Sequence, residues 1–441
     1  PAIEVGVSTH YRYTAGTNGL IYQQWVSPLP ALTATELQHL PLVTALMPEV
    51  GVGDLNYLDT QERHSATVGS LSAAVSSRAH RDSEQTSDSF FVLSSKALAD
   101  RMQPQLALMS DTLQSARFDE PSRIRDLVSQ MRARRDQSIT GSGHALAMTA
   151  ACAGMSPLAQ QGHEQGGLAG IRKLRALDDV LKDDGELEAF SHSLSAIHQK
   201  LAMAGAPSLC TVADEPNIAA ASEASCSHAA GLSAGASDSI SLAPVREARQ
   251  EMWVTNTQVN FCAKAYPTVP SGHADAPTLS VLAAFLRNGF LHRTIREQGG
   301  AYGGGASHDP HIAAFRFFSY RDPRLVETLE DFDAAIEWML QTQHEQLALE
   351  EAILSVMGSL DKPGSPAGEA KRDFHERLFG RTAEHRRILR AGIVGTTIDD
   401  LRRVTETYLK PERASTAVIT HSGGADIIAE RQLPLTRQDL L

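Results

Sequence analysis

Apolar positions along the chain follow two periods, and the elements that they predict occur twice in the same order. In the first part of the chain, apolar residues that alternate or run together predict strands, and apolar residues at helical spacing predict helices. The predicted strands are residues 5–13, 19–26, 68–75, 89–94 and 208–213. The predicted helices are residues 34–47, 98–114, 121–135, 145–155, 167–181 and 186–205. Pro41 is expected to kink or divide the first helix, and the polar residues 77–88 are expected to connect two strands.

The second part of the chain repeats this plan. Its predicted strands are residues 252–266, 302–307, 315–319 and 414–420. Its predicted helices are residues 275–295, 325–341, 345–359, 373–378, 382–391 and 398–408. Asp275 is expected to be the N-cap of the first of these helices. The repeated order predicts two α+β domains of similar size and common topology.

A change in composition places the boundary between the two domains. Residues 223–238 are rich in Ala, Ser and Gly and contain few large apolar residues, which is typical of a linker. We therefore expect a boundary near Ile240, with a first domain at residues 1–232, a linker at 233–250 and a second domain at 251–441.

Composition excludes several functions. The chain has 441 residues, with 42% hydrophobic and 21% charged residues, as in globular proteins. Its net charge of -12 argues against nucleic acid as the main partner, and no apolar run is long enough to span a membrane. The four cysteines are dispersed, which favours a reducing compartment, and we expect the cytoplasm. The start at Pro1, without Met or a signal peptide, suggests a processed protein or a piece of a longer one.

One glycine-rich stretch joins a predicted helix to a predicted strand. It reads Arg296-Glu297-Gln298-Gly299-Gly300-Ala301-Tyr302-Gly303-Gly304-Gly305. Glycines inside a helix or strand are destabilising by roughly 0.5–1 kcal/mol each relative to Ala, so this stretch needs bare backbone. A simple turn is one interpretation. A phosphate-binding loop is rejected, because such a loop has a strand before the glycines and a helix after them.

The same stretch carries a family resemblance, together with Phe317-Phe318-Ser319-Tyr320-Arg321-Asp322-Pro323. Both resemble the pitrilysin/insulinase metallopeptidases, an inverzincin family, and most closely its presequence-protease branch. Shorter runs also resemble that branch: Thr17-Asn18-Gly19, Ser142-Gly143-His144-Ala145 and Leu360-Asp361-Lys362-Pro363. The resemblance implies a clamshell of two halves, each with two homologous α+β domains. This chain resembles the C-terminal half, with a helical extension in its first domain and an antiparallel-rich mixed sheet in each domain, packed with helices on one side.

The zinc motif of that family, His-x-x-Glu-His, is missing from this chain. The nearest match is Arg381-Thr382-Ala383-Glu384-His385, and the helix in the equivalent place carries Leu42-Val43-Thr44-Ala45-Leu46. We therefore expect no metal ligand, catalytic base or cofactor in this chain. The resemblance implies that zinc is bound by the N-terminal half.

Arg296 and Tyr302 are the residues that the resemblance assigns to the substrate. They match the Arg and Tyr that the C-terminal half directs at the active site, where they can stabilise negative charge on a peptide carbonyl oxygen. Gly299, Gly300 and Gly303 are expected to let the substrate backbone come close. The alternative is a surface Arg paired with an acid and a Tyr packed on the sheet.

We expect structural roles for three histidines. His308 and His311 flank Asp309-Pro310 and are expected to be exposed residues of a hairpin turn. His144 is expected to cap or pack rather than bind metal.

The sequence therefore predicts the C-terminal half of a zinc metalloendopeptidase that degrades peptides in an enclosed chamber. Its partners would be the zinc-bearing N-terminal half, in the same chain or in a second subunit, and unstructured peptides, with no nucleic acid or membrane. The alternative is a catalytically inactive structural or binding homologue, like the core proteins of respiratory complexes.

Overall fold

The computed structural model describes residues 2–5, 8–232 and 239–440. Two six-stranded mixed sheets form within these residues. The strands of the first sheet are β1 (Ala2–Val5), β2 (Ser8–Thr14), β3 (Leu20–Pro28), β4 (Ser70–His80), β5 (Ser83–Leu98) and β6 (Ser208–Ala213). The strands of the second sheet are β7 (Gln250–Val254), β8 (Phe261–Pro267), β9 (Gly303–Asp309), β10 (Ala314–Tyr320), β11 (Ser415–Thr420) and β12 (Thr436–Asp439).

The two sheets have the same topology in five of their six strands. The strand orders are β1-β2-β6-β3-β5-β4 and β12-β7-β11-β8-β10-β9. In the first sheet β2 and β6 are parallel, and the pairs β6–β3, β3–β5 and β5–β4 are antiparallel. In the second sheet β7 and β11 are parallel, and the pairs β11–β8, β8–β10 and β10–β9 are antiparallel. The outermost strands differ, because β1 is antiparallel to β2 whereas β12 is parallel to β7. The predicted α+β duplication is confirmed.

The helices lie between and around these strands. In the first part they are α1 (Ala34–Leu46), α2 (Tyr57–Thr67), α3 (Met102–Ser115), α4 (Pro121–Gly141), α5 (Gly143–Cys152), α6 (Pro157–Gln165), α7 (Leu168–Val180), α8 (Asp184–Ala202) and α9 (Glu215–Ala230). In the second part they are α10 (Ala276–Leu286), a π-helix (Arg287–Gln298), α11 (Val326–Gln341), α12 (Gln346–Leu360), α13 (Pro366–Leu378), α14 (Ala383–Val394), α15 (Ile398–Tyr408) and α16 (Ser422–Glu430). Short 3-10 turns occur at Met47–Glu49, Ala99–Arg101 and Pro411–Arg413.

One face of each sheet packs on helices of its own part of the chain. In the first sheet, Trp25 and Leu93 are buried in one cluster with residues of α1, α3 and α8. In the second sheet, Cys262 and Val418 are buried with residues of α10 and α11. Successive side chains of a strand point to opposite faces of the sheet. The residues next to Trp25, Leu93, Cys262 and Val418 along the strands therefore point away from these helices.

The opposite face of each sheet is covered by a helix from the other part of the chain. Val26 and Val92 of the first sheet pack with Phe374, which lies on α13 of the second part. Phe261 and Ile419 of the second sheet pack in one cluster with residues of α5, from the first part. Helices of each part therefore pack on the sheet of the other part, and each sheet has buried residues on both faces.

Some predicted elements are corrected. Residues 77–88 mostly belong to β4 and β5, because side chains that are polar by composition still alternate in a two-stranded hairpin. Helix α9 includes residues 223–230, which the composition had assigned to a linker. Helix α1 continues through Pro41 as one helix. The remaining unpredicted elements are α2, α6, α16, β1 and β12.

Asp275 occupies the expected N-cap position but does not cap the helix with its side chain. Its carboxylate instead accepts hydrogen bonds from Arg403 at 2.8 Å and from the Tyr408 hydroxyl at 2.7 Å. The domain boundaries stay a prediction, since residues 233–238 lie outside the described residues. Residues 240–249 form neither helix nor strand.

Candidate substrate-contact site

The glycine-rich stretch forms the end of the π-helix and the beginning of β9. Leu291 and Ile295 of the π-helix are fully buried, whereas Arg296 on the same helix is exposed. π-Helical turns are rare and occur frequently at functional sites. This helix end is therefore where a functional side chain is best sought.

A capped helix end sets the backbone between Arg296 and Tyr302. The N–H of Gly300 donates to the carbonyl oxygen of Arg296 at 3.1 Å, and the N–H of Ala301 donates to Ile295 at 3.1 Å. The N–H of Gly299 also donates to Arg296. Gly300 has a φ of +79°, a left-handed conformation that glycine adopts without strain and that commonly ends helices. Arg296 and Tyr302 thus lie on either side of a short, hydrogen-bonded turn.

The other glycines of this stretch differ in how much space surrounds their Cα atoms. A Cβ on Gly299 would lie 2.6 Å from Nε of Arg324, whose guanidinium already fills that space. A Cβ on Gly304 would lie 2.7 Å from Cγ2 of Ile295. A Cβ on Gly303 would meet no atom within 4 Å. The space beside the Cα of Gly303 is therefore open, whereas the side chain of Arg324 covers Gly299.

The side chains of the two assigned residues face solvent. Tyr302 is 68% exposed, and its ring meets Tyr320 edge-on at 5.4 Å between centres. Neither the guanidinium of Arg296 nor the hydroxyl of Tyr302 has a hydrogen-bonding partner within residues 8–232 and 239–440. Glu297, the nearest acid in sequence, contacts His292 at 3.3 Å. Of the alternative interpretation, the acid pairing of Arg296 is not observed, whereas the contact of the Tyr302 ring with the sheet is.

A partly buried network of polar side chains contacts the turn. Nη2 of Arg324 lies 2.7 Å from the Asp331 carboxylate and donates to the Thr294 carbonyl at 3.4 Å. Asp322 accepts hydrogen bonds from the N–H of Arg324 at 2.9 Å and from the Thr328 hydroxyl at 2.8 Å. Burial raises the pKa of Asp322. These contacts attach the end of the π-helix to the start of α11.

Tyr320 connects the candidate site to the first part of the chain. Its ring meets His144, at the start of α5, at 4.7 Å between centres, and its hydroxyl donates to the carbonyl oxygen of Gly141 at 3.4 Å. His144 also packs against Phe318, so its expected packing role is confirmed, and burial lowers its pKa. Tyr320, Arg321 and Arg324 were not assigned to the site from the sequence, although the first two belong to the run 317–323 that carries the resemblance.

The prediction is wrong for His308, and for His311 it is right about the hairpin turn but wrong about the exposure. His308 lies in β9, where its two ring nitrogens are 3.2 Å from the hydroxyls of Thr268 and Ser280, and burial lowers its pKa to about 3. His311 contacts the guanidinium of Arg381, with a shortest distance of 2.6 Å. Burial and the charge of Arg381 lower the pKa of His311 to about 4. Both rings are partly covered by residues that are distant in sequence.

The residues that the structure describes do not fit a zinc site. No group of three or more His, Cys, Asp or Glu side chains that could hold a metal occurs among the described residues. His385, in the nearest match to the zinc motif, caps α14 by accepting the N–H of Thr382 at 3.2 Å. Likewise, none of the described helices is apolar over a length that would cross a membrane.

Comparison with known proteins identifies the family. Residues 3–177 match the model of the domain associated with peptidase family M16, subfamily C, and residues 250–420 match "PreP C-terminal domain". The chain is 30% identical, over 90% of its length, to the mitochondrial presequence protease of Yarrowia lipolytica, and it spans 40% of that relative.

Two solved structures share the fold. A conserved protein from Enterococcus faecalis has a TM-score of 0.71 at 14% identity, covering 96% of this chain and 99% of its own. A peptidase M16 inactive domain from Pseudomonas fluorescens has a TM-score of 0.66 at 15% identity, covering 96% of this chain and 98% of its own. The chain belongs to subfamily C of the M16 peptidases, and it matches the C-terminal half of the presequence proteases.

Proposed function

We propose that this chain is the substrate-contacting half of a zinc metalloendopeptidase that degrades peptides in an enclosed chamber. The observation that carries the proposal is the exposed pair Arg296 and Tyr302, presented by a capped helix end with no competing partner among the described residues. The presequence proteases that match this chain support the reaction class.

The two side chains suit the developing charge of peptide hydrolysis. As a nucleophile adds to a peptide carbonyl, negative charge grows on the carbonyl oxygen. The Tyr302 hydroxyl and the Arg296 guanidinium can both donate hydrogen bonds to that oxygen, and one such donor contributes on the order of 3 kcal/mol to transition-state stabilisation. Gly303, whose Cα face is open, leaves room for the substrate backbone beside Tyr302.

The metal and the partner belong to the same proposal. Zinc is bound by the N-terminal half, which completes the chamber as part of the same polypeptide or as a second subunit. Extended, unstructured peptides are the substrates. The cytoplasmic location stays a prediction from the cysteine pattern.

The second candidate is a structural or binding homologue without proteolysis. The absence of a fitting zinc site among the described residues of this chain is compatible with it. The matching relatives, which are named presequence proteases, favour the peptidase.

Tyr302→Phe in the protein that contains both halves tests the proposal. It removes one hydroxyl and keeps the ring that packs on Tyr320. If the hydroxyl donates to the oxyanion, kcat falls about 10²-fold or more while the melting temperature stays near wild type. Tyr57→Phe is the matched control, because Tyr57 is a partly exposed tyrosine whose ring lies 4.6 Å below Arg123 in the first part of the chain. Wild-type turnover in Tyr302→Phe would refute the assignment.

A further inference from the structure

Arg321 lies across the sheet from Tyr302. The N–H of Tyr302 donates to the carbonyl oxygen of Arg321 at 3.4 Å, and Tyr320, one residue earlier, pairs with Gly303. Cζ of Arg321 is 5.4 Å from the centre of the Tyr320 ring, and the same ring meets Tyr302 at 5.4 Å. The guanidinium of Arg321 and the phenol of Tyr302 therefore share one aromatic neighbour.

The backbone of Arg321 is strained. Its φ is +49°, a left-handed conformation that costs an L-residue roughly 1–2 kcal/mol. The cause is local: β10 ends at Tyr320, and Asp322 already exchanges backbone hydrogen bonds of 2.8 and 2.9 Å with Asn260. The chain must therefore change direction within one residue. Glycine would meet this need without strain, yet the position carries a long cationic side chain, and such strain often accompanies function.

The charge of Arg321 is not neutralised by its neighbours. The side chain is exposed, and it forms no ion pair or hydrogen bond with another residue that the structure describes. The adjacent acid, Asp322, is fully buried and accepts the N–H of Arg324 and the Thr328 hydroxyl. The nearby guanidinium of Arg324 is paired with Asp331. Arg321 thus presents a free planar guanidinium beside Tyr302 in a chain of net charge -12.

We propose that Arg321 binds a carboxylate of the peptide substrate, next to the carbonyl that Arg296 and Tyr302 hold; this inference rests on the proposed function. A guanidinium can bind a carboxylate through two parallel N–H···O bonds, and the Tyr320 ring beneath it supports the charge by a cation–π contact. The carboxylate is either the C-terminus of the peptide or an Asp or Glu side chain.

Arg321→Gly removes the guanidinium and relieves the backbone strain, so the variant should fold. Binding is measured by fluorescence anisotropy on the chelator-treated full-length protein, with three labelled peptides of one sequence. The first peptide has a free C-terminus and a single Asp, the second has Asn in place of that Asp, and the third has a C-terminal amide. The second and third peptides each lack one carboxylate of the first. Wild type should bind one of these two more weakly than the first peptide, and that peptide shows which carboxylate is bound. In Arg321→Gly the Kd for the first peptide should rise about ten-fold and match that weaker value.

Gln432→Gly is the matched control, because Gln432 is also exposed and left-handed, with a φ of +55°, and lies outside the candidate site. It should bind all three peptides like wild type. The inference is overturned if wild type does not distinguish the peptides, or if Arg321→Gly keeps the same discrimination. The two proposals can fail separately. If Tyr302→Phe cleaved peptides at the wild-type rate while Arg321→Gly still weakened binding, the proposed function would fail and the carboxylate contact would stand.

Discussion

The guanidinium of Arg324 lies against the Cα of Gly299, midway along the chain between Arg296 and Tyr302. A Cβ at residue 299 would be 2.6 Å from Nε of Arg324 and closer still to Cζ and Nη2. Asp331 holds the guanidinium in place through a 2.7 Å contact with Nη2. The position of the turn that presents Arg296 and Tyr302 therefore depends on an arginine 25 positions further along the chain.

A double-mutant cycle tests this relationship. Gly299→Ala should lower the free energy of unfolding by about 1–3 kcal/mol, because the guanidinium must move. Arg324→Ala should also destabilise, because it leaves Asp331 without its partner. The alanine side chain at position 299 clashes only when the guanidinium of Arg324 is present. The double variant should therefore lose less free energy of unfolding than the two single variants together, by about 0.5–3 kcal/mol. Denaturant unfolding measures this difference. Gly303→Ala, with open space around its Cα, should be nearly neutral, and strict additivity would contradict the prediction.

Arg296→Ala should impair proteolysis by the protein that contains both halves. It removes a charge-assisted donor, so we expect a higher KM as well as a lower kcat. Arg296→Lys should restore activity only in part, because lysine lacks the planar fork. Steady-state kinetics on one peptide checks this, with the melting temperature as the folding control. If all three proteins had equal kcat/KM, Arg296 would have no substrate role.

This chain by itself should bind no zinc stoichiometrically and cleave no peptide. The physical reason is the lack of a fitting ligand group among its described residues, where His385 is used as a helix cap. Metal analysis of purified, dialysed chain measures the first part, and a fluorogenic peptide measures the second. One tightly held zinc per chain would show that this expectation is wrong.

The stability of the chain should depend on pH through His308. Burial lowers the pKa of His308 to about 3, whereas the ordinary value is 6.5, so between these values the unfolded state binds more protons than the folded state. Stability is then fully present above pH 6.5 and falls as the pH falls toward 3. From pH 7 to pH 5, His308 should account for a loss of about 2 kcal/mol.

Denaturant unfolding of wild type and His308→Gln at both pH values measures this effect. The variant should be less stable at pH 7, because the contacts with Thr268 and Ser280 change. It should lose less stability than wild type on acidification. An equal loss in both proteins would mean that folding does not lower the pKa of His308.

Phe374→Ala should destabilise the fold through the first sheet. Phe374 is fully buried, its ring lies 5.1 Å from that of Tyr11, and it packs with Val26 and Val92. Truncation of a buried phenylalanine costs about 3–5 kcal/mol. Leu354→Ala on α12 is the control, since Leu354 is 70% exposed and should change stability by less than about 0.5 kcal/mol. Thermal unfolding compares the two, and a small effect at Phe374 would deny the packing of α13 on the first sheet.

The sequence by itself determined the repeated α+β plan, the type and place of most elements and the missing zinc motif. These features are local: periodicity reports which side of an element is buried, and a motif reports which side chains occur at a fixed spacing. The glycine-rich stretch was recognisable for the same reason, because Gly299 to Gly305 are neighbours in sequence.

Only the tertiary structure decided which residues pack on the buried faces of the strands and helices. The pattern of β3 shows that Trp25 and Val26 point to opposite faces, but not that Phe374, far along the chain, packs on one of them. His308 has the sequence context of a turn and is partly buried, with its ring against Thr268 and Ser280. These partners are distant in sequence, and their contacts depend on how whole elements pack, which no local pattern encodes.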